Sequence, residues 1–181
     1  LQAVKTTAIL DGDHYVLNGS KTFITNGYLS DLVVVVAKTG NSGEGSKDIS
    51  LLLVEANAAG FSKGRPLKKI GMHSQDTCEL FFKDVRVPKE NLLGREGMGF
   101  VMLMQELAWE RLMIPITSVV GAEAALIPTL DYTRRRYALG HPIAAYQTHR
   151  FTLAARQPAS PIPRVSADRP LSLVRQRTLR R

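Results

Sequence analysis

Residues 78–112, CELFFKDVRVPKENLLGREGMGFVMLMQELAWERL, contain a change of hydrophobic period that decides the fold class. Up to Val87 apolar and polar residues alternate, which predicts a β-strand that ends at Pro88. From Gly97 onward the apolar residues recur at steps of three and four, which predicts a helix. The pattern therefore predicts an α+β chain in which strands precede this stretch and helices follow it.

The residues before this stretch are typical of a series of short antiparallel strands. Turn residues separate the apolar runs, as at Asp11-Gly12-Asp13 and Asn26-Gly27, which favour tight turns. A polar, glycine-rich loop occupies residues 39–47. Strands are predicted at 4–10, 14–18, 21–25, 32–37, 49–55 and 78–87. Their spacing and turn density predict that residues 1–93 form an antiparallel, β-barrel-like or sandwich domain.

The residues after this stretch are predicted to form the first helices of a helical bundle over 94–155. Pro115 is expected in the first turn of a second helix, where its missing N–H costs little. Pro128 is expected to kink or end that helix, and a third helix is predicted over 146–155. Residues 156–181 are rich in Arg and Pro and have no hydrophobic period, which predicts a disordered tail.

Composition excludes several classes of protein. The formal net charge is +8, but residues 1–150 hold 17 Lys and Arg against 15 Asp and Glu, so most of the excess lies in the tail. A nucleic-acid-binding domain is therefore not predicted. One cysteine excludes a disulfide within this chain, and the histidines lack metal-ligand spacing, so no metal site is predicted. The longest apolar run, 32–37, falls far short of the ~20 residues of a membrane-spanning helix, and no membrane span is predicted.

The segment KTFITNG, residues 21–27, is the first candidate functional segment. Phe23 offers a flat apolar surface and Thr25 offers a hydroxyl, the two features that an isoalloxazine ring needs for stacking and hydrogen bonding. The alternative interpretation is a strand that simply ends in a turn.

The segment QELAWER, residues 105–111, is the second candidate. On a helix Glu106 and Glu110 share a face and repel each other when both are ionised. Crowding by Leu107, Trp109 and Leu112 is expected to desolvate one carboxylate and raise its pKa, which suits a general base. The alternative interpretation is a solvated acidic face.

Two further segments stand out, one by its basic charge and the other by its glycine content. The basic triplet Arg134-Arg135-Arg136 either complements the dipole of a helix end or holds a phosphate. The segment GREGMG, residues 94–99, has the wrong spacing for a dinucleotide fingerprint, so it is interpreted as a turn between a strand and a helix.

Six segments, in order and spacing, resemble the acyl-CoA dehydrogenase family, most closely its long-chain branch. They are YVLNGSKTFITNG (15–27), LSDLVVVVA (29–37), ISLLLVE (49–55), GFSKGRPLKKIGMHSQDTCELFFKDVRVPKENLLG (60–94), GFVMLMQELAWERL (99–112) and RRRYALGHPIAAYQ (134–147). The resemblance implies a middle β-domain followed by the start of a C-terminal helical domain. It also implies an FAD-dependent enzyme of fatty acid β-oxidation that desaturates an acyl-CoA thioester between its α and β carbons. In that reaction a glutamate removes the α-proton while the β-hydrogen leaves as hydride to flavin N5.

The resemblance further implies roles for individual residues. Glu110 matches the glutamate base of the long-chain branch, and Glu106 is expected to tune it. Contacts to FAD are implied for Phe23, Ile24 and Thr25, and contacts to the FAD of a neighbouring subunit for Arg136 and Gln147. Contacts to the acyl-CoA substrate are implied for Ser46, Lys47, Val101, Ala108, Trp109 and Arg111.

Partners and compartment are also implied by the resemblance. They are an electron-transferring flavoprotein as acceptor, a homo-oligomer of dimers or tetramers, and the bacterial cytoplasm or the mitochondrial matrix. The resemblance ends after Ala155, so we expect a fragment that is inactive or impaired by itself. The alternatives are an acyl-CoA oxidase of the same fold, which releases peroxide, a non-catalytic fragment, and a protein that binds nucleic acid through its basic tail.

Overall fold

The computed structural model describes residues 3–40, 42, 45–156, 169 and 172. The chain divides into two compact units, Leu1–Met104 and Gln105–Arg181, which are described separately below. The disordered tail predicted over 156–181 lies outside the described residues, apart from 156, 169 and 172. The predicted domain boundary between residues 93 and 94 stays a prediction.

The first unit is built on a six-stranded sheet with the order β4-β3-β1-β2-β6-β5. Its strands are β1 (Thr7–Asp11), β2 (His14–Thr25), β3 (Leu32–Lys38), β4 (Ile49–Glu55), β5 (Phe61–Lys63) and β6 (Thr77–Pro88). Every pairing is antiparallel except that between β1 and β3, a parallel contact of Thr7 with Lys38. The prediction of a purely antiparallel sheet was therefore wrong at this one contact. It arises because both edges of β2 are taken by β1 and β6, so β3 joins the far edge of β1.

The observed strands differ from the predicted ones in three places. The strands expected at 14–18 and 21–25 are one strand, β2, because two register shifts let it stay paired with β6 past Gly19. Gly19, just after the first shift, has φ 142°, and a Cβ there would lie 2.8 Å from Thr6 Cα, so only glycine fits at this position. The short strand β5 was not predicted, because three residues are too few to show an alternation of apolar and polar side chains. Residues 4–6 lie before β1 rather than within it.

The core of this unit is a single cluster of apolar side chains between the strands, led by Tyr15, Leu17, Leu52, Leu80 and Val85. The free edge of β4 is covered by the chain after β6, where Leu93 N–H donates to Leu51 O at 2.9 Å and Leu92 bridges Leu52. Among the described pairings β4 and β5 remain the two ends of the sheet, so closure into a barrel stays a prediction.

A single long helix, α1 (Gly99–Arg135), replaces the two helices that the sequence predicted. Pro115 and Pro128 both lie inside it. Pro115 does not begin a new helix and Pro128 does not end one, because a proline weakens a helix locally without excluding it. Hydroxyl groups in the turn after each proline donate to helix carbonyls: Thr117 to Met113 at 3.0 Å and Thr129 to Ala125 at 2.6 Å.

The remaining elements are short. A hairpin of β7 (Tyr137–Ala138) and β8 (His141–Pro142) leads to α2 (Gln147–Arg156), so the third predicted helix is confirmed. The hairpin turns at Leu139 and Gly140, which both have positive φ.

Helix α1 could cross a membrane by length and composition alone, since an 18-residue window has a mean hydropathy of 1.5 and none of that window is buried. The predicted absence of a membrane span rested on uninterrupted apolar runs, whereas a window average tolerates scattered polar residues. A single such helix is weak evidence, and the prediction of no membrane span stays a prediction.

Candidate active site

An irregularity near the end of β2 turns an aromatic side chain toward solvent. The register with β6 shifts between Lys21 and Ile24, so Thr22 and Phe23 lie opposite the single residue Glu79 in a β-bulge. Phe23 has φ 57°, and its side chain is 73% exposed. A bulky residue in this left-handed conformation costs about 1–3 kcal/mol, and such conformations cluster at ligand-binding sites. The bulge therefore holds a flat apolar ring in solvent at a cost to stability.

The next two residues of the predicted flavin contact lie beside Phe23. Ile24 packs against the core, whereas Thr25 is exposed at the last position of β2, so its hydroxyl is available to a ligand. The three predicted residues are consecutive, and they combine an exposed ring, a packed anchor and an exposed hydroxyl.

The turn after Thr25 is fixed from two sides. Asn26 N–H donates to Asp76 O at 3.1 Å, and Tyr28 N–H donates to the Asp76 carboxylate at 2.7 Å. Gly27 is buried, and a Cβ there would lie 3.0 Å from Cys78 Sγ. The strand end that carries Phe23 is thus held by the start of β6.

Lys21 belongs to the same segment but is not among the predicted site residues. Its Nζ donates to Val36 O at 2.6 Å, which links β2 to β3 beyond the point where β1 separates them. Burial lowers the pKa of this ammonium group. Its burial depends on a strand distant in sequence, so no local pattern predicts it.

The predicted CoA contacts lie in the loop between β3 and β4. Ser46 is half-buried and Lys47 is exposed, and Ser46 O accepts from Ile49 N–H at 3.4 Å. Lys47 O faces Gly97 so closely that a Cβ on Gly97 would lie 2.4 Å away. The loop is therefore packed directly against the turn that precedes α1.

The predicted residues of α1 are exposed along the helix. Val101 lies in its first turns, within the first unit, and Ala108 to Arg111 follow in the second unit. Because neighbours on a helix point about 100° apart, Trp109, Glu110 and Arg111 face three different directions.

The expected desolvation of a carboxylate on α1 was wrong for this chain. Glu106 and Glu110 lie one turn apart as predicted, but both are exposed. Trp109 is adjacent in sequence and so points away from the Glu110 carboxylate, rather than covering it. Besides Glu106, the positions that flank Glu110 on its own face are Leu107, which is half-buried, and Met113 and Ile114, which are 41% and 66% exposed. Glu110 is thus bordered by two exposed apolar side chains.

The basic triplet lies where α1 ends. Arg135 pairs with Asp131 at 2.9 Å, and Arg134 and Arg135 occupy the last helical turn, which suits the helix dipole. Arg136 follows the helix and is exposed, with its backbone held by Tyr132 O and Ile143 N. Gln147 is exposed at the first position of α2. Within the second unit, therefore, Arg136 and Gln147 flank the β7–β8 hairpin.

Each unit by itself presents groups that fit part of an FAD. In the first unit the exposed ring of Phe23 and the exposed Thr25 hydroxyl suit a flavin ring and its polar edge, and in the second unit the exposed Arg136 guanidinium suits the pyrophosphate of a neighbouring subunit's FAD. Among the described residues, no cluster of three His, Cys, Asp or Glu side chains is arranged to hold a metal ion.

Comparison with protein families gives two matches. Residues 1–85 match the acyl-CoA dehydrogenase middle domain, and residues 97–157 match the acyl-CoA dehydrogenase C-terminal domain.

Individual relatives agree with these matches. The chain is 50% identical over 155 residues to the mitochondrial long-chain specific acyl-CoA dehydrogenase of Sus scrofa, covering 85% of this chain and 36% of that protein. The crystal structure of an acyl-CoA dehydrogenase from Geobacillus kaustophilus superposes with a TM-score of 0.91 at 44% identity, covering 95% of this chain and 46% of that one. A solved structure described as the electron transferring flavoprotein of Acidaminococcus fermentans superposes with a TM-score of 0.81 at 39% identity, covering 92% and 44%. The chain thus spans about a third to a half of the length of these relatives.

Proposed function

Because this chain belongs to the acyl-CoA dehydrogenase family, a family of oxidoreductases, we propose that it serves FAD-dependent α,β-desaturation of a fatty acyl-CoA thioester, with Glu110 as the base. The observation that carries the proposal is the bulge that exposes Phe23 beside Thr25, inside the part of the chain that matches the middle domain. The chain spans 36% of the long-chain relative, so the activity of a complete relative is itself part of the proposal.

Glu110 would remove the α-proton of the thioester. Within the described residues no hydrogen bond or ion pair engages its carboxylate, which is therefore free to accept a proton. An acyl chain lying over Met113 and Ile114 would exclude water from the carboxylate, and Glu106 would add like-charge repulsion. A carboxylate that loses its solvating water becomes a stronger proton acceptor, so substrate binding would favour the proton transfer.

The cofactor contacts divide between the two units. Phe23 and Thr25 would receive the ring, with Ile24 anchoring the strand in the core, while Arg136 and Gln147 would hold the FAD of a neighbouring subunit. A bound FAD would supply the acceptor for the hydride that leaves the β-carbon. An oligomer, dimer or tetramer, follows from that shared site as part of the proposal.

The substrate contacts are proposed on the β3–β4 loop and on α1. Ser46 and Lys47 would contact the CoA moiety, and the thioester with its acyl chain would lie along α1 at Val101, Ala108, Trp109 and Arg111. The exposed apolar surface of α1 supports this role, because an apolar ligand gains by covering such surface.

An electron-transferring flavoprotein is the proposed electron acceptor, supported by the family and by the likeness to the Acidaminococcus fermentans structure. The proposed compartment is a bacterial cytoplasm or a mitochondrial matrix, since the similar proteins include bacterial and mitochondrial ones.

Flavin absorbance of the purified chain tests the proposal. After incubation with FAD and desalting, we expect a flavin spectrum that bleaches when palmitoyl-CoA is added without oxygen, but more slowly than in a complete relative, since the fragment is expected to be impaired. Glu110→Gln should retain the flavin and lose the bleaching, whereas Glu106→Gln, the matched control one turn away, should bleach at a rate within about tenfold of the unsubstituted chain. A colourless protein after FAD incubation would contradict the proposal for this chain, and peroxide release in air without an acceptor would assign oxidase chemistry instead.

A further inference from the structure

A chain of hydrogen bonds links the β3–β4 loop to the start of α1. Gly97 N–H donates to Ser50 Oγ at 2.9 Å, and Ser50 Oγ lies 2.7 Å from Thr39 Oγ1. Thr39 Oγ1 reaches Asp48 O at 3.5 Å. Because Ser50 accepts from Gly97, its own hydrogen is free to point to Thr39, whose hydrogen then points to Asp48. The chain therefore has one consistent direction, from the glycine-rich turn to the base of the loop.

The pair Thr39–Ser50 lies in a closely packed place. Ser50 is fully buried on β4, and Thr39 is the first residue after β3. Thr39 N–H also donates to Asp48 O at 2.9 Å, and the Asp48 carboxylate accepts from Ser42 N–H at 2.9 Å. Asp48 is buried at the end of the loop, and its hydrogen bonds with Thr39 and Ser42 hold the start of the loop against it.

Two glycines let the turn approach this point. A Cβ on Gly97 would lie 2.4 Å from Lys47 O, and a Cβ on Gly99 would lie 2.8 Å from Ile49 O. On both sides of Ser50, therefore, the backbone of the turn packs directly against the backbone of Lys47 and Ile49. No flexible side chain lies between them that could adjust to a shift. A displacement of the loop must therefore move the turn, or break the Ser50 hydrogen bonds.

We propose that the hydroxyl pair Thr39–Ser50 is a positioning device that couples the β3–β4 loop to the first turn of α1. The inference rests on the proposed function, which gives the coupling a role. In that function the loop carries the CoA contacts Ser46 and Lys47, and the first turns of α1 carry the substrate contact Val101. Binding of CoA by the loop would then stiffen the start of the helix that lines the acyl pocket. Thr39 and Ser50 act through these neighbours and do not touch the substrate.

Amide hydrogen exchange, followed by NMR on the full chain, tests the coupling without requiring FAD or turnover. Thr39→Val keeps the shape of the side chain and deletes its hydroxyl, whereas Thr39→Ser keeps the hydroxyl. In Thr39→Val we expect exchange to accelerate by about fivefold to tenfold at both Thr39–Ile49 and Gly97–Val101, and in Thr39→Ser to stay within about twofold of the unsubstituted chain. Thr6→Val, which removes another buried hydroxyl bonded to Ser20 O, is the matched control and should accelerate neither segment.

Affinity for CoA, measured by calorimetry with CoA itself, provides the second readout. We expect Thr39→Val to bind CoA several-fold more weakly, with Thr39→Ser and Thr6→Val unchanged. Faster exchange confined to the loop in Thr39→Val, or equal behaviour of Thr39→Val and Thr39→Ser, would overturn the coupling. An unsubstituted chain that binds no CoA would count against the proposed function, while the exchange comparison would still decide the coupling.

Discussion

Tyr15 Oη donates a hydrogen bond to Glu96 Oε2 at 3.1 Å, which joins the core of the sheet to the glycine-rich turn before α1. The tyrosine ring is fully buried on β2, and Glu96 is exposed, 81 residues later in the chain. One residue further along, Gly97 is bonded to Ser50. Two successive residues of the turn are therefore fixed to two different strands, which gives the first turn of α1 a defined position on the first unit.

Tyr15→Phe should lower the free energy of unfolding by about 1 kcal/mol at pH 7, because it removes the hydrogen bond and leaves no cavity. Burial, and secondarily Glu96, raises the pKa of Tyr15 above its ordinary value of 10.0. The unfolded chain therefore loses this proton at a lower pH than the folded chain, and the stabilisation is lost as pH rises above 10.

Urea unfolding at pH 7 and at several values above pH 10 measures this difference. The gap between the unsubstituted chain and Tyr15→Phe should narrow as pH rises. Lys21, whose pKa is lowered by burial, acts in the opposite direction, but it is present in both proteins and cancels in the comparison. Equal stability of the two proteins at pH 7 would show that the hydrogen bond contributes nothing.

Gly27→Ala should destabilise the first unit by about 1–3 kcal/mol, because the new methyl group would overlap Cys78 Sγ and Ile24 O at 3.0 Å. FAD uptake should fall with it, since Gly27 supports the strand end that carries Phe23. Gly121→Ala is the matched control: it lies inside α1 with nothing within 4 Å, so it should stabilise the helix by up to about 1 kcal/mol. Thermal unfolding measures the stability of both variants, and a Gly27→Ala variant as stable as the unsubstituted chain would contradict the close packing at this turn.

Much of the sheet could be predicted because its pattern is local. The run at 49–55 is strand β4 with the predicted bounds, and the alternation at 78–87 is the interior of β6. The errors arose where distant contacts decide the outcome. Pairing with β6 carries β2 through two bulges, and the parallel contact of Thr7 with Lys38 depends on which edge of the sheet is free.

The residue types of the candidate site could be predicted from the sequence better than the surroundings of those residues in the fold. The segment around Phe23 indicated an exposed ring, but its left-handed φ comes from a bulge that only the register with β6 creates. The crowding expected around Glu110 failed because adjacent residues on a helix point in different directions. The hydroxyl pair of Thr39 and Ser50 joins two strands, and neither residue stands out in the sequence.

Arg136→Gln should weaken FAD binding by about tenfold or more, since it removes a charge-assisted contact to a phosphate. Arg135→Gln is the control within the same basic triplet. Arg135 pairs with Asp131 on the surface, so its loss should cost less than about 1 kcal/mol of stability and change FAD affinity by less than twofold. Fluorescence titration with FAD at low and high salt measures both effects, and equal losses for the two variants would mean that only the total charge matters.

Phe23→Gly should make the first unit more stable and the flavin site weaker. Glycine adopts φ 57° without the steric cost that phenylalanine incurs, so relief of strain should outweigh the greater freedom of the unfolded chain by up to about 1 kcal/mol. The ring that would stack on the flavin is lost at the same time, so FAD affinity should fall by at least tenfold. Met72→Gly is the matched control, because Met72 has φ 52° and is similarly exposed but lies outside the predicted contacts. It should gain stability and keep its FAD affinity. A Phe23→Gly variant that loses both stability and flavin would show that the ring supports the fold, and a variant that keeps both would remove Phe23 from the proposed site.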